Sequence, residues 1–254
     1  DSHEIDTLAD DETAVGVAIS NGYIIVISDD AGSFNYVELA DFYYPDEIGF
    51  DPAWTESTGG LSDNPNAIAT SGMDAFIVGD AGYIYKVTEP SEDASVLDEA
   101  NASGGDALND VCAFNDKYIV AVGDNATIVY STDGKSFSVS PSRPKGVGIA
   151  ALAVSMRYED EWWIGFDDGT LFVTFDSGEH WSEVALPGQA SITAITSIAW
   201  SSHSIGYVSA THSGNGRIYR TVCGGIKWSV QPQQSKFSMP LVDKFNEKSP
   251  MTST

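Results

Sequence analysis

The sequence predicts an all-β fold assembled from about five to six similar four-stranded units set around an axis. Three observations point there. A hairpin followed by a tight turn recurs along the chain, no window carries the i, i+3, i+4, i+7 spacing of an amphipathic helix, and 24 glycines punctuate short apolar runs at close intervals. A unit repeated every 20–50 residues or so buries its apolar faces only against neighbouring copies.

The clearest copy is Trp162–Thr174 (WWIGFDDGTLFVT), two apolar strands joined through Asp167-Asp168-Gly169, followed by Phe175-Asp176-Ser177-Gly178-Glu179-His180-Trp181. On a strand, Trp162 and Trp163 point to opposite faces, and at least one of them is expected in the core. Upstream, Tyr118–Ser131 (YIVAVGDNATIVYS) leads into Thr132–Phe137, a turn one residue shorter; downstream, Arg217–Trp228 (RIYRTVCGGIKW) carries Cys223 where the other copies have aspartate. Aligned on Ser131, Thr174 and Thr221, the copies lie 43 and 47 residues apart, room for four short strands with their turns. Phe76–Thr88 (FIVGDAGYIYKVT) keeps the hairpin a further 43 residues upstream, although Glu89–Ala94 lacks the turn signature. Ile19–Ile27, with its Asn21-Gly22 turn, is a weaker copy. Its larger offset of 60 residues from Ser28 to Thr88 places an insertion at about 40–64.

Before each hairpin lies one more apolar segment: Ala107–Phe114, Ile149–Met156 and Ile192–Trp200. Their mixture of alternation and small residues suits a strand packed beside a central axis, and the β-branched segments that follow read as middle strands. The chain therefore divides into an acidic N-terminal segment 1–12, a β-propeller over 13–230, and a tail 231–254 that either stands apart or closes the ring by pairing with Thr13–Ala18.

The turn Thr174-x-Asp176-x-Gly178-x-x-Trp181 has a structural logic. Short oxygen side chains bond turn amides, glycine takes a positive φ, and the closing aromatic has surface to bury between sheets. Ser131, Asp133, Gly134 and Phe137 repeat this arrangement, as do Thr221, Gly225 and Trp228, so these residues are expected to brace the fold. The pattern resembles the Asp-box, or bacterial neuraminidase repeat, β-propellers, whose signature is Ser/Thr-x-Asp-x-Gly-x-Thr-Trp. The resemblance covers about Thr13–Val230 and implies a propeller with degenerate boxes; the superfamily includes sialidases, other glycosidases, carbohydrate-binding modules, photosystem II assembly-factor-like proteins and virion structural proteins.

Charge narrows the choice. Twelve Lys+Arg against 37 Asp+Glu give a net −25, which disfavours nucleic acid and anionic membranes as partners. The longest apolar run, Gly146–Met156, falls well short of the roughly 20 residues a spanning helix needs. Cys112 and Cys223 make no disulfide framework; Cys112 reads as core and Cys223 as a turn substitution. A sialidase would need an arginine triad, and only Arg143, Arg157, Arg217 and Arg220 exist, two of them on one hairpin. Asp80, Asp124 and Asp167/Asp168 recur at the hairpin tips, as turn formers or as a ring of carboxylates that could attract calcium. His180, His203 and His212 have no ligand-like spacing.

The expected function is non-enzymatic: recognition or structural assembly at an extracellular or virion surface, with other protein subunits or surface glycans as partners and oligomeric assembly open. No catalytic, cofactor or metal residue is assigned. Phe42, Tyr43, Tyr44 and Trp54, in the aromatic-rich insertion, are the candidate binding residues; the other reading of this stretch is a cap over a propeller edge. A glycoside hydrolase is the alternative, since two suitably placed carboxylates would suffice. A photosystem-assembly-like factor is the further one, although that family's basic patch and about seven units are not matched here.

Overall fold

The computed structural model describes residues 13–29, 33–39, 54–57, 61–90, 94–98 and 102–232. They form five four-stranded antiparallel sheets, each made of four consecutive strands. The first holds β1 (Ala14–Ser20), β2 (Tyr23–Ser28), β3 (Asn35–Glu38) and β4 (Thr55–Glu56); the second β5 (Pro65–Ser71), β6 (Asp74–Gly79), β7 (Ile84–Val87) and β8 (Ser95–Asp98). The third holds β9 (Leu108–Ala113), β10 (Ile119–Gly123), β11 (Ile128–Ser131) and β12 (Ser138–Val139). The fourth is β13 (Ala151–Tyr158), β14 (Glu161–Phe166), β15 (Leu171–Thr174) and β16 (Ser182–Glu183), and the fifth β17 (Ile192–Trp200), β18 (Gly206–His212), β19 (Asn215–Thr221) and β20 (Ser229–Val230). Among the described residues helix is confined to 3-10 turns at Leu39, Asp124–Ala126 and Gln189–Ser191, none long or apolar enough to cross a membrane.

The first strand of every sheet is the inner one. β1 packs beside β5, β5 beside β9, β9 beside β13 and β13 beside β17, and all five border one axial cavity of about 290 Å³. This is a five-bladed propeller. β4 lies inside the stretch read as an insertion, so part of that stretch is the outer strand of the first blade. Residues 40–53 and 58–60 lie outside the described residues, as does the tail beyond Pro232. β1, the expected partner of a closing tail strand, is paired with β2 in the first sheet.

Four apolar clusters fill the four spaces between consecutive sheets. β6, β10 and β14 are buried at every position, because their sheets have a neighbour on each side. This is why Trp162 and Trp163 are both buried: Trp162 meets Tyr130 of the third sheet at 5.3 Å between ring centroids, and Trp163 meets Trp200 of the fifth at 5.0 Å. The outermost sheets differ. On β18, Val208 and Ala210 are buried whereas Tyr207 is exposed and Ser209 and Thr211 are half-buried. On β1, Val17 is 66% and Ile19 59% exposed. No packing of β17 on β1 comparable to the other four contacts occurs among the described residues, so the first and fifth sheets each present a free face.

Burial predicts the cost of truncation. Trp163→Ala is expected to lower the free energy of unfolding by about 3–5 kcal/mol, and Val147→Ala, at a position 82% exposed, by less than about 0.5 kcal/mol, measured by urea denaturation.

Candidate functional site

The axial cavity is the natural place to look for a site, since every blade contributes its inner strand. Its wall includes Val17, Asn66, Asn109, Asp110, Thr196 and Ser197. Asp110 is the one carboxylate among the described residues lining it, and both its oxygens are engaged: Oδ1 accepts from the Val111 amide at 2.9 Å and Oδ2 from the Val154 amide at 2.7 Å. Burial nevertheless dominates and pushes its carboxyl up to about 6. Two residues further along β9, Cys112 Sγ accepts from the Met156 amide at 3.3 Å, and burial pushes its thiol up to about 11. Alternate side chains of β9 thus bond the backbone of β13 across a blade junction.

Two asparagines near the start of the inner strands bridge blades in the opposite sense, donating to carbonyls. Asn66 Nδ2 donates to Asp80 Oδ1 at 2.9 Å within its own sheet and to the Leu108 carbonyl of the next at 3.1 Å. Asn109 repeats this with Asp124 Oδ1 at 3.1 Å and the Ala151 carbonyl at 3.2 Å. Asp80 and Asp124 are therefore acceptors that orient the bridging amides. Asp168 differs: it pairs with Lys145 Nζ at 2.8 Å and accepts from Thr170 Oγ1 at 2.6 Å. Partial burial opposes its charge, but Lys145 and Thr170 outweigh that and hold its carboxyl below the usual range.

The box turns close on themselves. Thr174 Oγ1 donates to Asp176 Oδ1 at 2.7 Å and accepts the Gly178 amide at 3.0 Å, while Asp176 Oδ1 also accepts the His180 amide at 2.8 Å. That last bond is the main reason the Asp176 carboxyl is held down to about 2. Ser131 and Asp133 repeat the network, with the Ser136 and Lys135 amides holding Asp133 down to about 2. In the third box Thr221 Oγ1 still accepts the Cys223 and Gly225 amides, at 3.3 and 3.0 Å. The hydroxyl carries the turn even where the aspartate is lost. Gly178 and Gly225 have φ of +86° and +85°, and a Cβ there would run into Ser140 Oγ beside Trp162 in the first case and into Trp163 in the second. The closing aromatics Phe137, Trp181 and Trp228 pack into the junctions between sheets two and three, three and four, and four and five.

The remaining candidates fall elsewhere. Phe42, Tyr43 and Tyr44 lie outside the described residues. Trp54 is half-buried, and its buried indole N–H has no partner among the described residues. The four arginines do not converge: Arg143 bonds the Asn125 carbonyl, Arg217 contacts His212, Arg220 lies over Tyr207, and Arg157 forms a bidentate pair with buried Glu161 and reaches the His203 carbonyl of the fifth sheet. Asp176, Glu179 and His180 offer atoms within 4.8 Å of one another on an exposed turn, the group best able to hold a cation among the described residues. Asp176 raises the His180 pKa through their 2.7 Å contact. Sequence reasoning passed over Asn66, Asn109 and Asp110, although the two asparagines are one 43-residue period apart.

Five antiparallel blades, inner strands around an axis and self-bonded Ser/Thr-x-Asp turns define a β-propeller of Asp-box type. No protein-family model matches the sequence, and no curated protein is similar to it in sequence. Solved structures share the fold. YCF48 from Cyanidioschyzon merolae superposes with a TM-score of 0.60 at 14% identity, over 85% of this chain and 71% of that one. YCF48 bound to a D1 peptide gives 0.57 at 13%, over 81% and 62%. The GH74 xyloglucanase from Xanthomonas campestris gives 0.61 at 13%, over 85% of this chain and 38% of that enzyme. The chain thus spans about three fifths of the peptide-bound YCF48 and well under half of the xyloglucanase.

Two measurements test the geometry. Ser177 holds φ +55° where the last box has Gly224, so Ser177→Gly is expected to stabilise by about 0.5–1 kcal/mol, whereas Gly178→Ala should destabilise by at least about 1–2 kcal/mol in thermal or urea unfolding. Asp110 stays protonated in the folded chain to a higher pH than in the unfolded one. Its contribution to stability therefore falls as pH rises from about 4 to about 6 and levels off above. Asp110→Asn should flatten that part of the stability–pH curve relative to the parent chain.

Proposed function

We propose that this propeller is a non-catalytic recognition module that holds an extended protein segment at the axial mouth, as a structural part of an extracellular or virion-surface assembly. The observation that carries the reading is Asp110. It is the single carboxylate of the cavity wall among the described residues, and its oxygens are already bonded to two backbone amides. Glycoside hydrolysis asks for two carboxyl groups about 5–10 Å apart on either side of the scissile bond, one of them free to protonate or attack. With their Nδ2 donors committed to the blade bridges, Asn66 and Asn109 keep their Oδ1 acceptors, which together with the Ser197 hydroxyl are suited to bonding a peptide N–H or a sugar hydroxyl. The net charge of −25 selects partners bearing lysine or arginine. YCF48, similar in fold, has been seen with a bound peptide.

The likeness to a xyloglucanase keeps glycoside hydrolysis as the competing reading, and one experiment separates the two. Purified protein is offered an array of lysine-rich, neutral and acidic peptides beside a glycan array, with released sugar monitored. Retention of the lysine-rich peptides is expected, weakening roughly tenfold as ionic strength approaches about 1 M, where the screening length is ~3 Å. No sugar should be released. Release of sugar would overturn the non-catalytic reading, and retention of glycans without release would shift the partner from protein to carbohydrate.

A further inference from the structure

Among the described residues, the uncovered faces of the first and fifth sheets are the one place where the propeller's own packing rule is broken. On the first sheet Val17 pairs with Val26 and Ile19 with Ile24, giving four β-branched side chains on the side away from the second sheet. On the fifth, Ser209 pairs with Ile218 and Tyr207 with Arg220 on the side away from the fourth. A mostly apolar groove of about 340 Å³ runs over this second face, bordered by Thr196, Ser209, Thr211, Ile218 and, at its end, Gln231 and Pro232. The inner strands of both sheets line the same axial cavity, so the two faces flank a wedge that opens onto the axis.

We propose that the chain's own C-terminal segment, Phe237–Phe245, occupies this wedge. Four observations favour it over other occupants. The described chain enters the groove at Gln231, whose amide bonds the Ile218 carbonyl at 2.8 Å, and Pro232 forms part of the wall. Twenty-two residues follow Pro232, 233–254, enough to extend about 75 Å, several times the ~15–20 Å width of a four-stranded sheet. Phe237, Met239 and Leu241 recur at every second position, the spacing that puts them on one side of an extended segment, and Pro240 between them suits an edge position where no ladder N–H is required. Phe237–Phe245 balances Asp243 with Lys244, and Lys236 and Lys248 flank it against Glu247, so this stretch adds no net negative charge to a chain of net −25. A second copy of the chain carries the full charge, and two such molecules repel.

The test uses the full chain with Phe237 replaced by the photoreactive p-benzoylphenylalanine, irradiated at low protein concentration and mapped by peptide mass spectrometry. Adducts within the same chain on residues 15–26 or 207–218 are expected. Adducts between chains would assign the wedge to a second copy, and adducts elsewhere, or none, would equally overturn the proposal. Val17→Glu and Ile218→Glu in the photoreactive chain should abolish those adducts while the circular dichroism of the sheets is retained. Should either substitution unfold the protein, Leu241→Glu, outside the packed blades, is expected to produce the same loss; unchanged adducts with Leu241→Glu would also count against the proposal.

Discussion

A sheet with apolar side chains on both faces holds together in water only if both faces are covered, and this requirement organises the molecule. The second, third and fourth sheets satisfy it with a neighbour on each side, and their middle strands carry unbroken burial. The adjacent tryptophans follow directly. Trp162 and Trp163 point in opposite directions and are both interior, because the interior lies on both sides of their sheet. At the ends of the series the same requirement is half met, and β18 accommodates it by alternating polar with apolar residues, whereas β1 does not.

Between blades, apolar packing fixes distance and polar side chains fix registration. Inner strands of neighbouring sheets lie side by side without a shared ladder, so their free backbone groups need other partners. Asn66 and Asn109 supply donors to the carbonyls of the next blade; Asp110 and Cys112 supply acceptors to its amides. Arg157 does related work at the opposite end of the fourth sheet, with its guanidinium bonded to Glu161, laid over Trp200 at 4.9 Å and donating to the His203 carbonyl. These bridges explain a good part of where the acids go. Asp80, Asp124, Asp133 and Asp176 are each bonded within a turn or to an amide that spans two blades.

The repeat was legible in the sequence where one short stretch had to do several jobs at once. A box turn needs a hydroxyl, a glycine with positive φ and an aromatic wedge at fixed offsets, so Ser131, Thr174 and Thr221 stand out in phase, and the loss of aspartate at Cys223 does not hide the third copy. The second blade was harder to read because its Thr88 hydroxyl bonds Asp74, across the hairpin, rather than its own turn. Inner-strand residues were harder still. Asn109 and Asp110 are adjacent polar residues on a short strand, and nothing in that local pattern distinguishes a solvated pair from one bridge to a carbonyl and one to an amide. Only the recurrence of asparagine one period apart carries the signal, and it stops at Leu152, where the fourth blade has no amide to offer. The wall of the axial cavity is therefore a product of five distant segments that no single window contains.

This division of labour bears on what the scaffold does. A carboxylate that accepts two backbone amides is held in one orientation by bonds that favour its ionised form, and donating a proton to a leaving group would break them. Asp133 is in that condition, and Asp176, with one amide, the Thr174 hydroxyl and the His180 ring, is close to it; both carboxyls are held down to about 2. Asp110 is the exception in sign, because burial at the axis costs its charge more than two amide bonds return, and its carboxyl rises to about 6. An acid of that strength could exchange a proton near neutrality, but it would need a second group across the cavity to act with it, and its described neighbours on the wall are amides, hydroxyls and aliphatic side chains. Such a surface offers hydrogen bonds with a fixed geometry. Because the second, third and fifth blades each contribute only one or two of these groups, the pattern can vary by single substitutions on the inner strands without disturbing the box turns or the tryptophan-filled junctions that hold the blades in place.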